Sequence, residues 1–281
     1  MTPPQYRDIC AEVSEVILSR YSTSFSWGTR LFPAEIRSGI SAIYGFVRLA
    51  DEIVDSFQGF DQQKLFHALQ LDVSAAIDAG ISTNPVLESF QATVNKYKID
   101  RTLIVSFLES MAMDLTLARH STKSYQEYVY GSAEAVGLMC LKIFCHNQSG
   151  LYEELVTPAR QLGSAFQKVN FLRDIKNDLE TRGRIYLPNC SSPDDLNFAV
   201  KETIESEIKK EFAAALVGIS RLPPATKFAI YSTYLYYKAL FDKLRCLSIE
   251  VLLLRRVRVS NIQKTFLLGL AFIEMYILRR I

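Results

Sequence analysis

The sequence predicts an all-α protein of one domain, and three observations carry that prediction. Apolar residues recur at helical spacing through almost all of its 281 residues, and the alternating runs typical of strands are nearly absent. Only 12 glycines and 9 prolines interrupt a chain that is 49% hydrophobic, enough apolar material for a sizeable core. No linker, clear repeat or low-complexity tract divides it, so a single domain over 1–281 accounts for the whole length.

Each element has a local cause. Ile9, Val13, Val16 and Ile17 support a helix over 6–21 that ends at the Ser/Thr cluster beside Tyr21. Pro33 opens a second helix, which runs through Ile40, Ile43, Tyr44, Val47 and Asp51 toward Phe57 and is broken at Gly59. A helix over 62–79 is closed by Gly80, and Asn84-Pro85 starts another that reaches Tyr97. Asp100 is the expected N-cap of a helix running to Arg119, and 124–144 continues helically, softened by Gly131 and Gly137. Pro158 is expected to open the next helix, over 158–179. The Gly-, Pro-, Ser- and Asn-rich stretch 181–195 reads as a loop. Helices over 199–219, 223–255 and 259–279 complete the chain.

Bulk charge and cysteine usage mainly exclude. With 32 basic and 30 acidic residues the net charge is only +2, without the lopsided surplus of a nucleic-acid binder. Five cysteines without a C-x-x-C pair, and three histidines, support neither a zinc site nor a disulfide framework. A reduced, cytoplasmic setting is expected. The first twenty residues are too polar for a secretion signal, and the longest apolar run, Phe266 to Ile277, contains Glu274 and is too short to span a bilayer. No pattern specifies an oligomeric state.

Two acidic clusters stand out from this background: Asp51-Glu52-Ile53-Val54-Asp55 and Arg173-Asp174-Ile175-Lys176-Asn177-Asp178. Each places two aspartates at i and i+4, so both carboxylates project from one helix face and repel unless a cation compensates them. Arg48, Asp51 and Asp55 form one stripe, and Gln167, Asn170, Asp174 and Asp178 form another, flanked by Arg173. Either cluster alone also reads as a solvated, ion-paired face. Together, with matching spacing and adjacent arginines, they point to a hard divalent cation shared with substrate phosphates. Ionising an allylic diphosphate suits that set. The metal stabilises the leaving diphosphate, Arg48 and Arg173 add bidentate contacts, and 17 Phe and 14 Tyr can line a dry cavity for the carbocation.

At these residues the chain resembles the head-to-head prenyl synthases, the phytoene, dehydrosqualene and squalene synthases, over nearly its whole length. Tyr21-Ser22-Thr23-Ser24-Phe25-Ser26 is similar to the family's serine-rich opening, and Tyr44, Arg48, Asp51 and Asp55 to its first aspartate-rich helix. Met113-Asp114-Leu115 and Tyr130-Gly131-Ser132 to Val136-Gly137 resemble its middle segment, with Glu134 where the family has glycine. Gln167, Asn170, Arg173, Asp174 and Asp178 resemble the second aspartate-rich helix, Arg184-Ile185-Tyr186-Leu187-Pro188 the R-x-Y-L-P loop, and Tyr237 with Arg255 to Ser260 the C-terminal region.

The resemblance implies an isoprenoid-synthase-type helical bundle with a central cavity. It implies head-to-head condensation of two geranylgeranyl diphosphates through a cyclopropyl diphosphate to phytoene, or the corresponding reaction of farnesyl diphosphate to dehydrosqualene or squalene. It also implies Mg²⁺, replaceable by Mn²⁺, held by Asp51, Asp55, Asn170, Asp174 and Asp178. Tyr44 and Tyr130 would act at the reacting carbons, and Ser22, Arg48, Gln167, Asn170, Arg173, Arg184, Tyr186, Tyr237 and Arg256 would contact diphosphate. NADPH is not expected, because no G-x-G-x-x-G motif follows a strand.

A terpene cyclase or head-to-tail prenyltransferase would carry contiguous D-D-x-x-D, and a non-catalytic helical scaffold would have lost some of the aspartates. Arg255, Arg256, Arg258 and Lys264 have two readings, diphosphate binding and attraction to anionic lipid. The apolar segment after them, ending in Arg279 and Arg280, is either a core helix or a peripheral membrane contact.

Overall fold

The computed structural model describes residues 2–278 and 281, with the side chains of Pro3, Thr23 and Ser24 left aside. Arg279 and Arg280 lie outside the described residues. Thirteen α-helices and no strand occur among those described: α1 Pro3–Tyr21, α2 Thr23–Thr29, α3 Ala34–Asp55, α4 Gln62–Ala79, α5 Pro85–Tyr97, α6 Arg101–Met113, α7 Thr122–Val129, α8 Val136–Phe144, α9 Leu151–Arg182, α10 Phe198–Arg221, α11 Pro224–Arg245, α12 Ile249–Leu254 and α13 Asn261–Phe272. An isolated bridge pairs Arg119 with Ile185.

The expected caps largely hold. Asn84 accepts backbone N–H bonds at the start of α5, and Gly80 closes α4 with φ of 67°, while Asp61 adds a cap at the start of α4 that was not among those expected. Asp100 stands at the N-cap of α6, but its carboxylate pairs with Lys142 at 3.0 Å instead of capping. α6 stops at Met113, short of the expected Arg119, because residues 114–120 turn aside to meet the 183–190 loop.

Three further expectations give way. Residues 23–29 form α2, capped by Ser22 accepting from the Phe25 N–H at 3.2 Å. α9 begins at Leu151, with Pro158 inside the helix, not at its start. The Pro158 ring packs against Gly218 of α10, where an added Cβ would come within 2.4 Å of it. The predicted 223–255 helix is divided into α11 and α12 after Arg245.

α9 is the axis of the molecule, packed against α8, α10, α11 and α12. Its buried face carries Leu155, Ala165, Val169, Phe171, Leu172 and Ile175. Lys168 anchors it to α10 through Glu211, with Glu207 also within 2.7 Å. Between α7 and α8 the chain widens into a π-helical turn, Tyr130–Ala135. Gly131 is required there, since a Cβ would lie 2.1 Å from the Ser106 carbonyl oxygen of α6.

Candidate active site

The first acidic face is the C-terminal half of α3. Arg48 bonds Glu52 and lies 3.9 Å from Asp51, with its guanidinium 4.3 Å above the Tyr21 ring. Burial, joined by the charge of Asp55, pushes Asp51 up to about 7. Asp55, the last residue of α3, accepts from Arg184 Nη1 at 2.6 Å and pairs with Arg182 at 3.0 Å.

The second face is the C-terminal part of α9. Asp174 accepts from Arg173 Nε at 3.0 Å and pairs with Arg256 Nε at 2.6 Å. Burial acts to raise Asp174, but bonds and charge from Arg173, reinforced by Arg256, outweigh it and hold the carboxyl below the usual range. Asp178 pairs with Arg182 at 2.8 Å, and burial, with Asp174 adding, still takes it up to about 7. The two faces therefore meet through Arg182, which the sequence reading had not singled out. A cation in the last turn of a helix reads there as ordinary dipole compensation.

Beneath them, Asp114 organises the R-x-Y-L-P loop. Its Oδ1 accepts from the Tyr186 hydroxyl and its Oδ2 from the Tyr128 hydroxyl, both at 2.8 Å, and Arg184 lies 3.6 Å away. Burial raises Asp114 to about 6 against the opposing charge of Arg184. Tyr186 stacks on Phe171 at 4.8 Å and on His120 at 5.6 Å. Arg119 clamps the loop from outside, donating to the Gly183 and Ser191 carbonyls at 2.6 and 2.9 Å. Arg184 and Tyr186 thus hold the acidic floor from below.

Two neighbouring cavities lie beside this floor, reaching it through Arg173 and Arg256, while none of the four aspartates is among their lining residues. An open funnel of about 1020 Å³ is lined by Tyr21, Ser22, Tyr44, Arg173, Tyr237 and Arg256, with Trp27 among its further lining residues. An apolar cavity of about 240 Å³ shares Phe25, Gly28 and Thr233 with it and continues past Val136, Cys140, Leu162 and Phe166 to Phe32 and Phe144. Gln167 stands among the residues lining this second cavity. Tyr44 stacks on Phe25 at 5.4 Å, and Tyr237 on Phe166 at 3.9 Å. Burial pushes Tyr44 up to about 12, against the charge of Arg48, and raises Tyr237, so both phenols stay protonated.

Tyr130 is placed differently from the sequence expectation. Its ring packs 5.2 Å from the Arg160 guanidinium, outside the residues that line either cavity, while Ser132, Ala133, Val136 and Gly137 of the same stretch line the apolar one. The widened π-turn changes which side chains face inward. Glu134, at the family's glycine position, accepts from Arg160 at 2.6 Å and so gains a polar partner away from the cavity.

The donor set suits a hard cation. Every candidate ligand offers oxygen, and the Asn170 Oδ1 is buried without a partner. Among the described residues no three His, Cys, Asp or Glu side chains converge as a ready ion site. The aspartates face arginines instead, so any ion there needs substrate phosphates to complete its shell.

The family model of squalene/phytoene synthase matches residues 18–263. The chain belongs to this family, whose members are prenyltransferases. It is 28% identical to a chloroplastic phytoene synthase of Narcissus pseudonarcissus over 94% of its length, spanning 65% of that protein. It is 29% identical to a phytoene synthase of Arthrospira platensis, covering 87% of this chain and 86% of the relative. Among solved structures it is similar to a ligand-bound dehydrosqualene synthase (TM-score 0.82, 20% identity, 98% and 100% of the two chains). It is also similar to a squalene synthase of Alicyclobacillus acidocaldarius (TM-score 0.76, 22% identity, 87% and 96%). These likenesses establish the helical fold.

Proposed function

We propose that this protein condenses two geranylgeranyl diphosphates head to head, through a cyclopropyl diphosphate, to phytoene. The observation that carries this reading is the pairing of an arginine-rich acidic floor with a funnel that shares Phe25, Gly28 and Thr233 with an apolar cavity. Mg²⁺ or Mn²⁺, bound by Asp51, Asp55, Asn170, Asp174 and Asp178 together with phosphate oxygens, would supply Lewis-acid stabilisation of the leaving diphosphate.

The chain's own residues do the rest. Arg48, Arg173 and Arg256 offer guanidiniums to phosphate oxygens, with Ser22 at the funnel wall. The apolar cavity receives the prenyl chain and excludes the water that would quench a carbocation. Tyr44 and Tyr237, kept protonated by burial, line the approach as neutral dipoles and aromatic faces and not as phenolate nucleophiles.

The test is incubation with fifteen- and twenty-carbon allylic diphosphates, with and without NADPH, followed by product identification. Phytoene from the twenty-carbon substrate without reductant is expected. Dehydrosqualene or squalene from the fifteen-carbon substrate would move the assignment to the runner-up activity, and no diphosphate release would remove it.

Peripheral membrane contact belongs to the same proposal. No helix among the described residues is long and apolar enough to cross a membrane. On α13 and the turn after it, Ile262, Phe266, Ile273 and Ile277 form one exposed stripe, with Ile262 84% and Phe266 70% exposed. Its other side supplies Leu267 and Leu268 to the funnel. Exposed Arg255 and Arg258 beside it favour an anionic lipid surface over a neutral one.

A further inference from the structure

Two arginines reach Asp55, and they are held differently. The Arg184 side chain is 10% exposed. Besides Asp55 it donates to the Val54 and Asp114 carbonyls, each at 3.0 Å, and to the Tyr186 hydroxyl at 3.2 Å. Partners on α3, at the end of α6 and in its own loop fix it in place. Arg182 is 25% exposed. Among the described residues its polar partners are two carboxylates, Asp178 at 2.8 Å and Asp55 at 3.0 Å.

Those two carboxylates come from different helices, and both stand near a helix C-terminus, where the macrodipole disfavours negative charge. They are also two of the proposed cation ligands. A guanidinium and a divalent ion seek the same carboxylate oxygens and repel each other, so both cannot hold them fully.

We infer that Arg182 is a displaceable counter-ion, which joins the two acidic faces through Asp55 and Asp178 and yields their oxygens when a divalent cation arrives with diphosphate. The inference rests on the proposed function, because it requires the acidic faces to take a cation. Its consequence is coupling. A cation alone would displace Arg182 and leave two neighbouring positive groups under-compensated. A diphosphate brings the negative charge that both can share, so cation and diphosphate load together. Arg184, fixed from several sides, keeps the distance between the faces while Arg182 moves. Arg182 is therefore a positioning residue that acts through the carboxylates.

The experiment titrates Mn²⁺ by calorimetry into the full chain, alone and with inorganic pyrophosphate, for the wild type and Arg182→Gln. The wild type is expected to bind Mn²⁺ weakly alone and more tightly with pyrophosphate. In Arg182→Gln, Mn²⁺ alone should bind about tenfold tighter, and the enhancement by pyrophosphate should shrink. In chelator the variant should melt below the wild type, having lost the link between α3 and α9. Should Arg182→Gln fail to fold, Arg182→Met, which likewise removes the charge and keeps a long side chain that can pack in its place, makes the same comparison. Unchanged Mn²⁺ affinity and unchanged enhancement in a variant of a wild type that does bind would overturn the inference. A wild type that binds no Mn²⁺ under either condition would instead overturn the proposed function.

Discussion

Asp51 is the least compensated of the four aspartates. Arg48 is drawn to Glu52 and stays 3.9 Å from Asp51, while Asp55, Asp174 and Asp178 each have a guanidinium within 3.0 Å. Its carboxylate is the one with oxygens most available to a cation. Asp51→Asn keeps the shape and removes the charge. With Mg²⁺ saturating, turnover should fall by at least about 10³-fold, the loss of several kcal/mol of leaving-group stabilisation. Because burial already works against a charge here, the melting temperature should stay level or rise. Turnover near the wild-type rate would remove Asp51 from the cation set. At this scale the i,i+4 spacing was legible because helix geometry alone places both carboxylates on one face. Arg182 was not, since its second partner lies on a helix distant in sequence. Asp114 was legible only as part of the family's middle segment, and its place as the acceptor from two tyrosines beside Arg184 was not.

Among the elements, those with strong end signals were readable. α4 and α5 follow their Gly80 and Asn84 signals, and α3 ends two residues before the expected Phe57. α2 was missed because seven residues of Ser, Thr, Gly and aromatics carry too short a pattern for periodicity. The early start of α9 was missed because proline normally opens a helix. Here the packing of Pro158 on Gly218 retains it in the interior.

The π-turn at Tyr130–Ala135 has no signature beyond Gly131, yet it decides which residues face the cavity. Gly131→Ala tests that element. With a Cβ 2.1 Å from the Ser106 oxygen, α6 and the turn must separate. Chemical denaturation should show a loss of about 2 kcal/mol, the usual scale of overpacking. A stability equal to wild type would mean that the two elements part freely and that the crossing does not set the cavity wall.

For the whole molecule, the outer face of α13 is the apolar surface that needs a cover. Ile262, Phe266, Ile273 and Ile277 are exposed beside a funnel suited to a lipid-like substrate. In sedimentation with vesicles of phosphatidylcholine containing a third phosphatidylglycerol, the wild type should bind, and less so as salt is raised. Ile262→Glu with Phe266→Glu should abolish binding while leaving the circular dichroism unchanged. A wild type that ignores vesicles but runs as a dimer, with the double variant monomeric, would assign this face to a second copy of the chain.

By itself, the sequence determined the all-α class, most helix positions, the two acidic faces and the family. All of these depend on periods and spacings within a helix, which backbone geometry converts directly into faces. Only the tertiary structure decided how the faces are joined and where the cavity runs. It set Arg182 between Asp55 and Asp178, Arg184 beneath them, Glu134 on Arg160 and Tyr130 away from the cavity. Those contacts pair residues distant along the chain. Their energies depend on burial and on the approach of separate helices, which no local pattern encodes.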